Sequence, residues 1–225
     1  TEALAAALPE QGGPVLEIDE DTPRVAIIGR PNAGKSSLVN RLLGEDRQLV
    51  DDRPGTTVDT VDSLLEGETG SFVLIDTAGI RRKRAMQKAS TVETMSVFQA
   101  IRAMERADIV VVMIDANEGV GEQDAKIAGL AEDRGCAILL ALNKTDLMSQ
   151  DEQKQAMDRA REVLAFIPWA PMVTLSAKTG KGVNVLIARV ADAVAEHRKR
   201  IPTGELNRFF EEVLATHPPP SMKSR

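Results

Sequence analysis

Short apolar runs alternate along this chain with longer stretches in which apolar residues recur every three or four positions. The runs at residues 25–28, 72–75, 109–114, 137–142 and 172–175 have strand length and are apolar at successive positions, the pattern of strands covered on both faces. Between them lie three helical stripes: Val97, Ala100, Ile101 and Met104; Ala156, Ala160, Val163 and Leu164; and Val183, Leu186, Ile187, Val190 and Val194. These spacings read as core faces. Strands alternating with helices predict a mainly parallel sheet wrapped by helices, an α/β fold.

The ends of the chain break this pattern. Residues 3–8 resemble the last turns of a helix, and residues 11–23, with Gly12, Gly13, Pro14 and clustered acids, read as a linker. The expected organisation is therefore a preceding helix plus acidic linker over 1–23, the α/β domain over 24–200, and a separate piece over 201–225. In that last piece Ile201, Pro202 and Gly204 interrupt the helix before them. A new amphipathic helix follows, carrying Leu206, Phe209, Phe210, Val213 and Leu214, and residues 217–220 end it. It is too short to fold alone and reads as the first helix of a truncated domain. The first residues show neither a basic leader nor an initiator Met, so a longer parent chain is expected.

Composition narrows the class. With 225 residues, 43% hydrophobic and 28% charged, the chain is globular, and no apolar run approaches the length that spans a bilayer, so no membrane partner is expected. The single cysteine, Cys136, stands beside an apolar run and reads as a core thiol in a reducing, cytoplasmic setting. The net charge of -6 misleads, because six of the 34 acids and none of the 28 bases precede Arg24. From there on the signs balance, leaving no global field to attract nucleic acid.

Chemistry concentrates at the ends of the apolar runs. The segment Gly29-Arg30-Pro31-Asn32-Ala33-Gly34-Lys35-Ser36 fits GxxxxGK[ST] directly after a strand and at the start of a helix. Glycines there let backbone N–H groups, from Gly29 through Asn32, Ala33 and Gly34 to Ser37, turn towards phosphate oxygens. Lys35 would bridge the β- and γ-phosphates, and the Ser36 hydroxyl would ligate Mg²⁺. Asp76-Thr77-Ala78-Gly79 ends the 72–75 run, where a carboxylate can hold the Mg²⁺ shell and the Gly79 N–H can bond the γ-phosphate. Asn143-Lys144-Thr145-Asp146 ends the 137–142 run. Asp146 can accept from guanine N1–H and the 2-amino group, whereas adenine would leave it partly unpaired. Ser176, Ala177 and Lys178 follow the last run and would close the base pocket. The polar loop with Thr56 and Thr57 offers a second Mg²⁺ hydroxyl, Thr57 being preferred and Thr56 the runner-up.

These elements in this order resemble the Era/TrmE group of P-loop GTPases. Residues 29–38, 54–62, 73–83, 115–129 and 143–147 are similar to the second G domain of the EngA (Der) family, bacterial GTPases with tandem G domains and a C-terminal KH-like domain. One departure is Val58, where that family usually has Arg. The resemblance implies a P-loop GTPase G domain with a mostly parallel six-stranded sheet flanked by helices on both faces. It also implies GTP/GDP as nucleotide with Mg²⁺, and GTP hydrolysis in the cytoplasm in assembly of the large ribosomal subunit. Its implied partners are that subunit with its RNA, and adjacent G and KH-like domains in cis. Catalysis would fall to Asn32, Lys35, Thr57 and Gly79. Ile80 follows Gly79 and cannot orient water, and Asn at position 32 marks the K⁺-activated members of the group, so Asn32 is expected to ligate K⁺.

Other readings remain open at this point. A GTP-sensing module with negligible hydrolysis would use the same loops as a signal, and a P-loop ATPase or kinase is disfavoured by Asn143 and Asp146. Arg81-Arg82-Lys83-Arg84 is either a solvated face or a contact for RNA or a partner domain. Aromatic residues are 3% with no tyrosine, so stacking platforms for single-stranded RNA are scarce. His197 and His217 lie outside every motif and read as capping or surface residues.

Overall fold

The computed structural model describes residues 21–44, 62–67, 70–75 and 100–217. The expected helix at 3–8, most of the 11–23 linker and the end of the 201–225 piece lie outside those residues. Six strands form one sheet: β1 (Arg24–Gly29), β2 (Ser63–Gly67), β3 (Gly70–Ile75), β4 (Ile109–Asp115), β5 (Ala137–Asn143) and β6 (Met172–Thr174). Their order is β2-β3-β1-β4-β5-β6, with β2 antiparallel to β3 and every other pair parallel. The helices among the described residues are α1 (Lys35–Gly44), α2 (Glu122–Asp133), α3 (Gln150–Val163), α4 (Val183–His197) and α5 (Thr203–Thr216), and residues 100–104 are also helical.

The apolar runs become strands because each is buried from both sides. Along β1 and β4, Val25, Ile27, Ile109, Val111 and Met113 face a layer made by α1 and α4, where Leu38, Val39, Leu42, Leu186 and Val190 meet them. The alternate residues Ala26, Ile28, Val110, Val112 and Ile114 face residues 100–104, α2 and α3, against Met104, Ile127, Ala128 and Ala160. A period of two on a continuously apolar run thus feeds two cores. Cys136 sits in the second core with its thiol against the Met104 carbonyl at 3.5 Å, and burial pushes its pKa up. That is the expected inert core thiol.

Two positions differ from the sequence pattern. The sixth strand, β2, has only Leu64 and Leu65 as apolar residues, and with the polar Ser63 buried beside them the run is too short and mixed to leave a clear signature. Val163 is 47% exposed although it belongs to a helical stripe, because α3 ends there and Leu164, 1% exposed, takes the core position. Ser149 fixes the other end of α3 by accepting from the Glu152 N–H at 3.3 Å while the Glu152 carboxylate accepts from the Ser149 N–H at 2.7 Å. Helix α5 forms as expected, but none of its residues is buried.

The order of strands decides where chemistry collects. From β1 the chain goes to β2 and β3 on one side, and from β3 it crosses to β4 on the other, so the carboxyl ends of the strands beside β1 open a crevice. No helix among the described residues is long and apolar enough to cross a membrane.

Candidate functional site

β1 delivers the chain to Gly29, paired in register with Met113 of β4. At φ 148° Gly29 takes a conformation that residues with a Cβ avoid, and a Cβ there would overlap the Met113 carbonyl oxygen. The loop then passes through Asn32, at φ 63°, and Gly34, at φ 100°, before α1 begins. The Lys35 ammonium donates to the carbonyls of Gly29 at 2.8 Å and Arg30 at 2.5 Å, which holds its charge over the loop. Lys35, Ser36 and Ser37 open α1, and a helix N-terminus carries partial positive charge. Partial positive charge and a fixed ammonium at one spot suit a polyphosphate.

Asn143, at the end of β5 and 2% exposed, joins that loop to the second half of the site. Its Nδ2 donates to the Ala33 carbonyl at 2.7 Å, and its Oδ1 accepts from the Ala177 N–H at 2.9 Å. The fit is tight, because a Cβ on Gly34 would strike the same Nδ2. Beyond it Lys144 turns left-handed at φ 68°, and the Thr145 hydroxyl donates to the Leu175 carbonyl at 2.9 Å. These contacts leave Asp146 exposed, with Oδ1 accepting from the Ser176 hydroxyl at 2.7 Å. That hydrogen bond, helped by the Lys178 charge, holds the Asp146 carboxyl below the usual carboxylate range. Asp146 is therefore an ionised acceptor at neutral pH, aimed by a neighbour that is itself buried.

Three interactions had no signal in the sequence. Lys144, expected among the nucleotide contacts, ion-pairs through Nζ with the Asp115 carboxylate at the end of β4. Arg30, inside the phosphate loop, reaches Asp124 with Nε to Oδ2 at 2.8 Å, and its Nη2 donates to the Gly119 carbonyl at 2.7 Å. Asp124 is fully buried, and burial pushes its pKa up against the opposing pull of the Gly121 N–H and of Arg30. Arg41 of α1 donates from Nε to the Ala177 carbonyl at 2.8 Å and from Nη2 to the Lys178 carbonyl at 2.5 Å. Partners this far apart in sequence meet only through the fold.

The structure thus brings Gly29, Asn32, Ala33, Gly34, Lys35, Ser36 and Ser37 together with Asn143, Lys144, Asp146, Ser176, Ala177 and Lys178 at the carboxyl edge of the sheet. Thr56, Thr57, Val58, Asp76, Thr77, Ala78, Gly79, Ile80 and residues 81–84 lie outside the described residues. Two expected cation ligands can be located: Asn32, whose side chain is exposed, and Ser36, which is half-buried in the first turn of α1. No group of three His, Cys, Asp or Glu among the described residues could hold a metal. A hydroxyl at a helix start suits a cation that arrives with phosphate oxygens better than a resident ion.

A phosphate loop at the end of β1, an Asn-Lys-Thr-Asp turn at the end of β5 and a Ser-Ala-Lys turn after β6, on a 2-3-1-4-5-6 sheet, define a P-loop GTPase domain. The chain belongs to the 50S ribosome-binding GTPase family, whose pattern matches residues 24–144. It is 47% identical over 212 residues to GTPase Der of Caldanaerobacter subterraneus subsp. tengcongensis, covering 93% of this chain and 48% of that protein. It is also 47% identical over 233 residues to GTPase Der of Symbiobacterium thermophilum, covering 100% and 47%. The chain spans about half the length of these relatives, as one G domain of GTPase Der (EngA) with its flanks would. Among solved structures, Aquifex aeolicus Era bound to GDP.AlF4- matches with TM-score 0.58 and 26% identity over 76% of this chain and 56% of that one. The elongation factor SelB of Methanococcus maripaludis with GppNHp, at TM-score 0.61 and 19% identity over 82% and 36%, shares the fold alone.

Proposed function

We propose that this chain binds guanine nucleotides and hydrolyses GTP, and that it does so as a switch in assembly of the large ribosomal subunit. The carrying observation is the Asn143 side chain, which ties the Ala33 carbonyl of the phosphate loop to the Ala177 N–H of the base turn. One buried amide thereby fixes the distance between a phosphate site and an ionised acceptor, Asp146. That acceptor matches the N1–H and 2-amino donors of guanine, and adenine would leave it unpaired in part. At the other end, Lys35 and the start of α1 would stabilise charge that grows on the β- and γ-phosphate oxygens as the terminal group transfers.

Ser36 with Thr57 and Asp76 would hold Mg²⁺, and Asn32 would hold K⁺. Bound there, these ions supply positive charge to the phosphate oxygens. The remaining groups act without them: Lys35 binds and orients the phosphates, Asp146 selects the base, and Ser176 aims Asp146. Gly79 and Thr57 would sense the γ-phosphate.

The wider role rests on similarity. The family is described as ribosome-binding, relatives are named GTPase Der, and an Era chain of 26% identity was solved with MgGDPNP and nucleotides 1506–1542 of 16S ribosomal RNA. By extension the partners are the large subunit and its RNA, in the cytoplasm and through a longer protein. Adjacent G and KH-like domains in cis would flank the domain at 24–200. The wholly exposed apolar face of α5 supports placing 201–225 in a further domain.

Displacement of a fluorescent GDP by GTP, ATP and xanthosine triphosphate, read together with phosphate release, tests the proposal. GTP should displace it far better than ATP, and Asp146→Asn should reverse the preference between GTP and xanthosine triphosphate. Equal displacement by ATP would refute the guanine reading. Tight GTP binding without phosphate release would make the domain a sensor.

A further inference from the structure

We infer that Arg41 is a specificity-positioning residue, which orients the base turn so that the Lys178 N–H faces the 6-oxo edge of guanine. This rests on the guanine reading above and deepens it. Arg41 lies on α1, six residues after Lys35, so about 9 Å of helix axis separates the phosphate end of the rod from the point where it meets the base turn. Its guanidinium holds two successive carbonyls, Ala177 with Nε at 2.8 Å and Lys178 with Nη2 at 2.5 Å. A planar fork that engages two carbonyls at once sets the rotation of both peptide units.

That rotation determines which way the donors point. In a trans peptide the N–H lies opposite the carbonyl, so drawing the Ala177 oxygen towards α1 turns the Lys178 N–H away from it. The Lys178 carbonyl does the same for the Thr179 N–H, which donates to the Ser176 hydroxyl at 3.1 Å. That hydroxyl in turn donates to Asp146 at 2.7 Å. The Ala177 N–H is already committed to Asn143 at 2.9 Å. The turn is thus pinned through an N–H by β5 and through its carbonyls by α1, with the Lys178 N–H the donor that Arg41 aims. Gly180 makes room for the guanidinium: a Cβ there would come within 2.9 Å of Arg41 Nη1.

The two halves of base recognition separate chemically. Asp146 reads the N1–H and 2-amino side, whereas the turn reads the 6-oxo side. Inosine diphosphate lacks only the 2-amino group, whereas 2,6-diaminopurine riboside diphosphate replaces the 6-oxo group with a donor and the N1–H with an acceptor, so its Asp146 loss is common to parent and Arg41 variants and the change between them reports the 6-position. Affinities of the whole 225-residue chain for GDP and for these two analogues, measured by competition, therefore test the inference. Arg41→Ala should shrink the preference for GDP over the diaminopurine nucleotide by about tenfold, the scale of one misdirected hydrogen bond, and shrink the preference for GDP over inosine diphosphate distinctly less, because Arg41 reaches Asp146 only through Thr179 and Ser176. Arg41→Lys, which keeps one donor, should recover part of the loss, and it serves as the test if Arg41→Ala does not fold. Equal shrinkage of both preferences, or of neither, would overturn the positioning role. A parent chain that does not prefer GDP over the diaminopurine nucleotide would instead overturn the guanine reading beneath it.

Discussion

Replacing Asn143 with Ala removes the amide that ties the two halves of the site, and its effect can be worked out before any nucleotide is added. Asn143 is 2% exposed, and the residues it serves, Ala33 and Ala177, are 1% and 3% exposed. The substitution leaves the Ala33 carbonyl and the Ala177 N–H without their partner in surroundings that water reaches poorly. An orphaned buried polar group costs ~1–3 kcal/mol, so the pair amounts to ~2–6 kcal/mol. With an m-value of ~2 kcal/mol per molar urea, a loss near ~4 kcal/mol moves the urea midpoint down by ~2 M at constant slope. Asn143→Asp gives a sharper form of the test. The introduced carboxyl can still accept from the Ala177 N–H, and when protonated it can donate to the Ala33 carbonyl, restoring the bridge. Its folded-state pKa is therefore raised above the unfolded value, and the restored stability is fully present below the unfolded value and lost as pH rises through the folded one. Urea unfolding of Asn143→Asp should show a midpoint closer to the parent in acid than at neutral pH. A loss below ~1 kcal/mol for Asn143→Ala at unchanged slope would refute the bridging role.

Other expectations concern the base acceptor and the phosphate loop. Because the Ser176 hydroxyl holds the Asp146 pKa down, the stability this group contributes is present above the ordinary value of 3.8 and lost as pH falls through the lower folded value. Ser176→Ala should move the Asp146 midpoint up in a carboxyl-carbon NMR titration, and an unmoved midpoint would assign the shift to another donor. Exchanging K⁺ for Na⁺ should slow GTP hydrolysis at least ~tenfold, ~1.4 kcal/mol of barrier, with Asn32→Ala abolishing the difference. Equal rates in the two salts at fixed ionic strength would return attention to the arginines at 81, 82 and 84.

Much of this site was legible because its residues sit where strand signals end. The glycines and Lys35 follow one apolar run, and Asn143 and Asp146 follow another, so a local motif and a local element confirm each other. Strand β2 was not legible, since only two of its five residues are apolar and the buried residue beside them, Ser63, is polar. Nor were Arg41 and the pairs Arg30 with Asp124 and Lys144 with Asp115, because a charged residue on a helix or loop looks solvated until the fold supplies its partner. Lys144 shows the limit most plainly: its motif places it beside the nucleotide, and no local pattern foretold the β4 carboxylate with which its ammonium pairs.

Of the strands whose carboxyl ends carry these groups, β6 is an edge, and β1, β4 and β5 lie inside the sheet, each paired on both sides. Fraying begins at edges and termini, so their amides exchange with solvent through cooperative opening of the domain rather than through local openings. A nucleotide that binds only the folded site shifts that opening by RT ln(1 + [L]/Kd), about 2.7 kcal/mol at a hundredfold excess over Kd. Occupancy at one end of three strands should therefore register as slowed exchange along their whole length, on both faces of the sheet. Helix α5, which buries none of its residues, has no share in that cooperative unit and would exchange at the same rate whether or not the site is filled.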